Sequence, residues 1–298
     1  MTTAIFKHID PESYTGKPWS KVDGPDKSYE DKLHNQVVHD VRGRESEFTT
    51  DNGGFAFIYS PAQEKLFTND EAIRGGYYAE VQELLRKTLT GKINKVHIFD
   101  HTVRRRKEGS PRQPVQQVHV DQTTAAAIAR IRRHLPAEAD ELLKGRYQII
   151  NVWRPIEYAA SDFPLAVVDW RSTEEKDFVP VDLMYPKCTN PAHYDDDRGK
   201  EKLPDPSTYN STEGYEPRGE HLAVAPNDKH QFYYQKDMTP DEVLLLKCYD
   251  SFGEGEPQGI KGLATRTPHT AFIDPNTPKD APGRQSIEVR CLVFYDRD

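Results

Sequence analysis

His119 and Asp121, two apart in Val118-His119-Val120-Asp121-Gln122, are the residues whose types and spacing first suggest chemistry. Side chains alternate along a β-strand, so His-x-Asp on a strand sends an imidazole and a carboxylate to the same face. Together they make two-thirds of the 2-His-1-carboxylate triad, which binds Fe(II) on one face and leaves the opposite positions open. The third ligand has to come from elsewhere in the chain. His269, in Pro268-His269-Thr270-Ala271-Phe272, is the candidate, with His221 and His230 as rivals beside other expected strands. Further on, Arg284 and Ser286 lead into an apolar run that ends at Tyr295. An arginine and a hydroxyl on one strand face can grip a carboxylate through a bidentate fork and one further hydrogen bond. A 2-oxoglutarate chelating iron through its keto-acid end would leave its distal carboxylate for that grip. The bland alternative makes His119 and Asp121 a structural hydrogen-bonded pair and Arg284 a solvated charge.

Positioning these side chains requires strands, and the sequence offers many. Residues 1–35 are polar, lack clear periodicity and read as an extended arm lying on the surface. Short strands are expected near 37–41 and 55–59, around the turn-forming Asp51-Asn52-Gly53-Gly54. A helix follows, capped by Thr68 or Asn69 and closed by Gly91, with Ile73, Tyr77, Val81, Leu84, Leu85 and Leu89 at helical spacing. The run 96–103 reads as a strand that ends in the cationic Arg104-Arg105-Arg106-Lys107, a solvated edge or, alternatively, a contact for an anionic substrate or a partner surface. Residues 123–144 read as a helix that Pro136 breaks or kinks. Strands are then expected at 146–156, 164–170, 222–225, 231–235, 242–249, 267–273 and 286–295. The polar stretch 187–219 is too long for an ordinary connection and reads as a loop insertion, with Tyr194, Tyr209 and Tyr215 available to close over an apolar ligand. Many closely spaced strands with two early helices indicate a mainly β sandwich or barrel with helical support.

Composition narrows the function classes. The chain has 298 residues, enough for one large domain or two small ones. A net charge of −8 argues against nucleic acid as the main partner. A mean hydropathy of −0.81 is low for a folded enzyme, yet 22 prolines and 10% aromatics fit a loop-rich folded chain. No apolar run approaches the roughly 20 residues needed to span a membrane, and the first residues lack a signal-peptide core. Three separated cysteines, Cys188, Cys248 and Cys291, make neither a disulfide framework nor a zinc knuckle. A cytoplasmic location without membrane or nucleic-acid partners is therefore expected.

Six segments in order carry a resemblance. They are Phe99-Asp100-His101-Thr102-Val103-Arg104-Arg105, His119-Val120-Asp121-Gln122-Thr123, Asn151-Val152-Trp153-Arg154-Pro155-Ile156, Leu244-Leu245-Leu246-Lys247-Cys248-Tyr249-Asp250-Ser251, Pro268-His269-Thr270-Ala271-Phe272 and Arg284-Gln285-Ser286-Ile287-Glu288-Val289-Arg290. From about residue 35 to the C-terminus the chain resembles a fungal family of Fe(II)/2-oxoglutarate oxygenases of secondary metabolism. That family includes the gibberellin desaturase and the aspergillic-acid-pathway hydroxylase. The resemblance implies a double-stranded β-helix, or jelly-roll, core over 36–298 as a single oxygenase domain. It implies His119, Asp121 and His269 as metal ligands, Arg284 on the distal carboxylate of 2-oxoglutarate, and Ser286 beside it. Asn151, Arg154 and Arg290 are further pocket candidates, with the alternation of Asn151 and Arg154 leaving open which of them points in. The implied reaction consumes O2 and 2-oxoglutarate and hydroxylates, desaturates or oxidatively cyclises a small natural product. The competing readings are a non-catalytic subunit supporting a paralogue in a heterodimer and a zinc hydrolase using the same ligands; a homodimer is the other assembly considered.

Overall fold

A computed structural model describes residues 1–106, 114–187 and 209–296. Their strands begin with β1 (Thr2–Ile9), β2 (Trp19–Lys21), β3 (Asp31–Asp40), β4 (Phe55–Tyr59), β5 (Ile93–Arg105), β6 (His119–Val120) and β7 (Tyr147–Pro155). They continue with β8 (Leu165–Val168), β9 (Phe178–Pro186), β10 (Tyr215–Val224), β11 (Phe232–Tyr234), β12 (Glu242–Asp250), β13 (His269–Ala271) and β14 (Gln285–Tyr295). One sheet has the order β4-β12-β7-β14-β5, and the other β1-β3-β11-β8-β13-β6-β10-β9-β2. These curled sheets form the expected jelly roll.

The smaller sheet is a middle layer. Strands β7 and β12 are buried at every position, as strands covered on both faces must be. Ile150 and Val152 of β7, with Ile287 and Val289 of β14, pack beneath a helical layer through Ile73, Tyr77, Val81 and Leu85. Each such side chain contributes about 1.5–3 kcal/mol by leaving water. The alternate residues face the larger sheet, where Trp153, Leu244 and Leu246, with Phe55 and Phe57 of β4, meet Val167 of β8. Period 2 thus sorts each strand of this sheet into a helix-facing set and a set that faces the interior of the roll.

The helical layer departs from regularity in one place. Asn69 accepts from the N–H groups of Glu71 and Ala72 and caps α1 (Asp70–Ala72), as the sequence predicts. A π-helical turn over Ile73–Tyr77, which contains Gly75 and Gly76, then leads into α2 (Tyr78–Thr88). The second helical stretch is α3 (Thr124–His134), capped by Thr123, and it stops at Leu135 because Pro136 follows. A short α4 (Ala139–Leu142) completes the region expected as one kinked helix.

Two expectations about organisation need correction. Residues 1–35 do not lie on the surface as an arm: they supply β1, β2 and the start of β3 to the larger sheet. Phe6 is buried against Phe232, with ring centroids 4.2 Å apart. Here the buried Ala4 and Phe6 alternate with exposed residues that include the apolar Ile5, so no clean polar–apolar period marks the strand. The larger sheet also curls until Lys7 meets Gln117, and the Lys7 carbonyl accepts the Val118 N–H at 2.9 Å. The second correction concerns 187–219. Residues 215–219 are the first part of β10, paired with β9, while 188–208 lie outside the described residues.

Candidate metal centre and its pocket

Strands β6 and β13 are neighbours in the larger sheet, and His119 stands directly opposite His269. Their ring centroids are 4.5 Å apart. Asp121, just beyond β6, brings Oδ1 to 3.4 Å from His119 Nε2 and 3.8 Å from His269 Nε2. One ligand atom from each of the three residues lies within 4.8 Å of the other two, and among the described residues this is the one such group of three or more.

Both imidazoles are held by the backbone. His119 Nδ1 donates to the Gln117 carbonyl at 2.7 Å and His269 Nδ1 to the Thr267 carbonyl at 3.1 Å. Each bond leaves the Nε2 lone pair directed at the common site, the tautomer a metal ligand needs. The supports are themselves fixed. Tyr29 donates its hydroxyl to Gln117 Oε1 at 2.8 Å, and the Thr267 hydroxyl donates to the Gly54 carbonyl. Gly54 has φ +89°, and a Cβ there would lie 2.5 Å from Thr267 Oγ1, so this approach needs glycine.

Electrostatics prepare the donors for a cation. Burial opposes ionisation of Asp121, but the His119 bond and the neighbouring His269, His119 and Arg290 outweigh it and hold its carboxyl well below the usual range. Burial, then His119, lowers His269 to about 4 and keeps its imidazole neutral. Two imidazole nitrogens and one carboxylate oxygen suit Fe(II).

The triad opens into a pocket of about 500 Å³, counted out to solvent, also lined by Trp153, Arg284, Ser286, Glu288, Thr102 and Arg104. Its floor follows from register: on β14, Ser286 and Glu288 share a face, opposite Arg104 and Thr102 of β5. Arg284 is 5% exposed. Its Nη1 donates to the Phe163 carbonyl at 2.6 Å, its guanidinium stands 5.5 Å from the Trp153 ring, and among the described residues no carboxylate pairs with it. Burial first, and Arg104 second, lower its pKa. Asp162 and Glu288 act the other way.

The remaining candidates separate. Asn151 faces the roll interior and donates Nδ2 to Asp121 Oδ2 at 2.6 Å. Arg290 is paired with Asp100, Nε to Oδ1 at 2.6 Å, so its fork is engaged. Arg154 is not in the pocket, a correction to the sequence reading. It pairs with Ile287 on the helix-facing side, where it donates to Tyr77, to the Pro240 carbonyl and to the Ser60 carbonyl. The rival histidines lie outside the triad: His230 Nε2 is 3.0 Å from Asp177, and His221 meets His119 edge-on at 6.3 Å between centroids. Sequence reasoning missed Glu288 and Trp153. Both were legible, since Glu288 continues the i, i+2 row from Arg284 and Ser286, and Trp153 is two residues from Asn151. Burial, then Asp121, raises the Glu288 carboxyl to about 7.

A jelly roll that turns two histidines and an aspartate into its interior, next to an unpaired buried arginine, defines a metal-dependent oxygenase of the 2-oxo-acid type. Known proteins carry this further. A family model described as an oxidoreductase/YMDC permease-like domain matches residues 6–294. No helix among the described residues is long and apolar enough to cross a membrane. The hydroxylase/desaturase efuI of Hormonema carpetanum is 33% identical over 276 residues, covering 87% of this chain and 83% of its own. The Fe(II)/2-oxoglutarate-dependent dioxygenase nvfI of Aspergillus novofumigatus is 31% identical over 273 residues, covering 89% and 84%. A solved structure of the iron and alpha-ketoglutarate-dependent endoperoxidase NvfI matches with a TM-score of 0.74 at 26% identity, over 99% of this chain and 98% of that one. The chain belongs to this family of Fe(II)/2-oxoglutarate-dependent oxygenases of fungal secondary metabolism.

Proposed function

We propose that His119, Asp121 and His269 hold the iron, and that Arg284 and Ser286 hold the distal end of 2-oxoglutarate. The observation that carries this reading is the pairing of the triad with a buried, unpaired guanidinium in one pocket. When bound, iron and 2-oxoglutarate supply the activation of O2, with 2-oxoglutarate oxidised to succinate and carbon dioxide while the organic substrate is oxidised. The chain's own part is positional. The carbonyls of Gln117 and Thr267 aim the imidazoles, Arg284 and Ser286 fix the distal carboxylate, and Trp153 shields that ion pair from water. Leu165, Val115 and Ala271 give the rest of the pocket an apolar wall suited to a small, partly apolar natural product. Hydroxylation, desaturation and cyclisation differ in where the substrate is held. The protein is read as an active cytoplasmic catalyst. A subunit that only supported a paralogue would have no use for a complete triad beside Arg284, and a zinc hydrolase would leave Arg284 without a role.

The test is O2 uptake by purified protein. With Fe(II) and 2-oxoglutarate present, O2 is consumed and succinate accumulates, and both stop when Zn(II) replaces Fe(II). Bound metal without 2-oxoglutarate-dependent succinate formation would overturn the reading.

A further inference from the structure

The two oxygens of Asp121 have different surroundings. Oδ1 faces the Nε2 atoms of His119 and His269, whereas Oδ2 accepts Asn151 Nδ2 at 2.6 Å and lies 3.8 Å from Cys248 Sγ. We propose that Asn151, assisted by Cys248, is a positioning residue that keeps Asp121 a one-oxygen ligand. A carboxylate with both oxygens free can chelate a metal and fill a further position. Occupying Oδ2 reserves that position for co-substrate and oxygen. The inference rests on the assignment of His119, Asp121 and His269 as ligands.

Three observations carry it. Asn151 is fully buried, and its other amide atom, Oδ1, has no hydrogen-bond partner. An amide serving the fold would satisfy both ends, because an orphaned buried acceptor is costly. The orientation follows from chemistry, since a flipped amide would set Oδ1 against Asp121 Oδ2, two acceptors face to face. Second, Cys248 sits where the β12–β7 register shifts: Lys247 pairs with Ile150 and Tyr249 with Ile149, leaving Cys248 as the extra residue. A bulge of this kind re-aims a side chain, here a thiol toward the carboxylate. Third, the cross-strand neighbour of Asn151 on β14 is Arg290, whose guanidinium is engaged by Asp100. That pairing leaves Asp121 to Asn151 instead of drawing it toward the arginine.

Co(II) binding to the full chain tests the proposal, with affinity read by chelator competition and coordination by visible absorption. Asn151→Ala should weaken Co(II) roughly ten- to a hundredfold, the usual loss for an outer partner of a metal ligand, and should alter the absorption spectrum. Its metal-free Tm should stay close to wild type, because the substitution that removes the amide also removes its costly orphaned Oδ1. Cys248→Ala should lose affinity a few-fold, and Cys248→Ser, which keeps a donor, should recover it. Wild-type affinity and spectrum in Asn151→Ala would overturn the proposal. So would an Asn151→Ala protein that fails to fold or whose metal-free Tm collapses, since the amide would then be structural. If the wild-type chain itself binds no Co(II), the ligand assignment fails, a result distinct from the other two.

Discussion

His119 and His269 face each other as direct partners in the β6–β13 ladder, and each gives its Nδ1 hydrogen to the carbonyl two residues before it. The same local device therefore acts twice, once on each side of a sheet pairing. Neither imidazole needs a neighbouring carboxylate to choose its tautomer. Removing either ring removes a preset donor, so His119→Ala and His269→Ala should each abolish stoichiometric Fe(II) binding at micromolar metal. Equilibrium dialysis checks this, and one tightly bound equivalent retained by His269→Ala would return the third position to His221 or His230.

On the proposed assignment, Arg284 governs the second ligand. Loss of a charge-assisted bidentate contact in a buried site costs about 2–5 kcal/mol, including the carboxylate left unpaired. Arg284→Ala should thus weaken 2-oxoglutarate roughly 30-fold or more while Fe(II) still binds. Arg284→Lys should recover only part of the loss, because an ammonium cannot present the planar fork. Anaerobic titration of the Fe(II) protein with 2-oxoglutarate measures both variants, and an unchanged dissociation constant for Arg284→Ala would refute the role.

Arg154 serves stability instead. Its three donors reach Tyr77, the Pro240 carbonyl and the Ser60 carbonyl from within the layer between α2 and the smaller sheet. Arg154→Met leaves the buried Tyr77 hydroxyl and the part-buried Pro240 and Ser60 carbonyls without this donor, at about 3 kcal/mol of folding stability. Urea unfolding should register that loss. The 2-oxoglutarate dissociation constant of the folded variant should match wild type, and a large change in it would contradict the placement.

Acid should destabilise the chain through His8. Burial is the main cause of its depressed pKa, about 4 in the fold against an ordinary 6.5, with His230 and His34 opposing protonation and the Val224 carbonyl and Asp177 favouring it. The unfolded chain takes up this proton below pH 6.5 and the folded chain only near 4. The contribution is therefore complete above pH 6.5 and lost as pH falls toward 4, by up to about 3 kcal/mol. His8→Leu should flatten the fall in stability measured by denaturant titration between pH 6.5 and 4. An equally steep fall in the variant would assign the effect elsewhere.

Much of the architecture was legible because periodicity reports burial directly. The capped helix at Asn69 and the buried runs that became β7 and β12 all declare themselves in the sequence. The convergence of the candidate ligands was legible for a related reason: His-x-Asp is a strand pattern, and Arg284 with Ser286 is another. The N-terminal strands were not legible, because β1 alternates Ala4 and Phe6 with exposed residues such as Ile5, which is 60% exposed, so both of its faces carry apolar side chains. The phase of β7 was also hidden. Nothing within Asn151-Val152-Trp153-Arg154 says which alternate set meets the helices, and that is decided by the π-helical turn and α2 packing from a distant part of the chain. A parallel pairing such as that of β3 with β11 leaves no local trace at all.

That parallel pairing also has a consequence for synthesis. The β1–β3 hairpin emerges from the ribosome early, while the segment that covers the far edge of β3, Phe232–Tyr234, follows almost two hundred residues later. At about 5–20 residues per second the edge stays open for roughly ten to forty seconds. Leu33 and Val37 are solvent-facing on that hairpin even in the finished fold, at 62% and 42% exposure. Until β11 arrives, neighbouring nascent chains on one polysome would present each other with the same open strand, the geometry that favours edge-to-edge association. The yield of soluble protein therefore depends on how far apart those chains are held during the wait, and slower initiation should raise it.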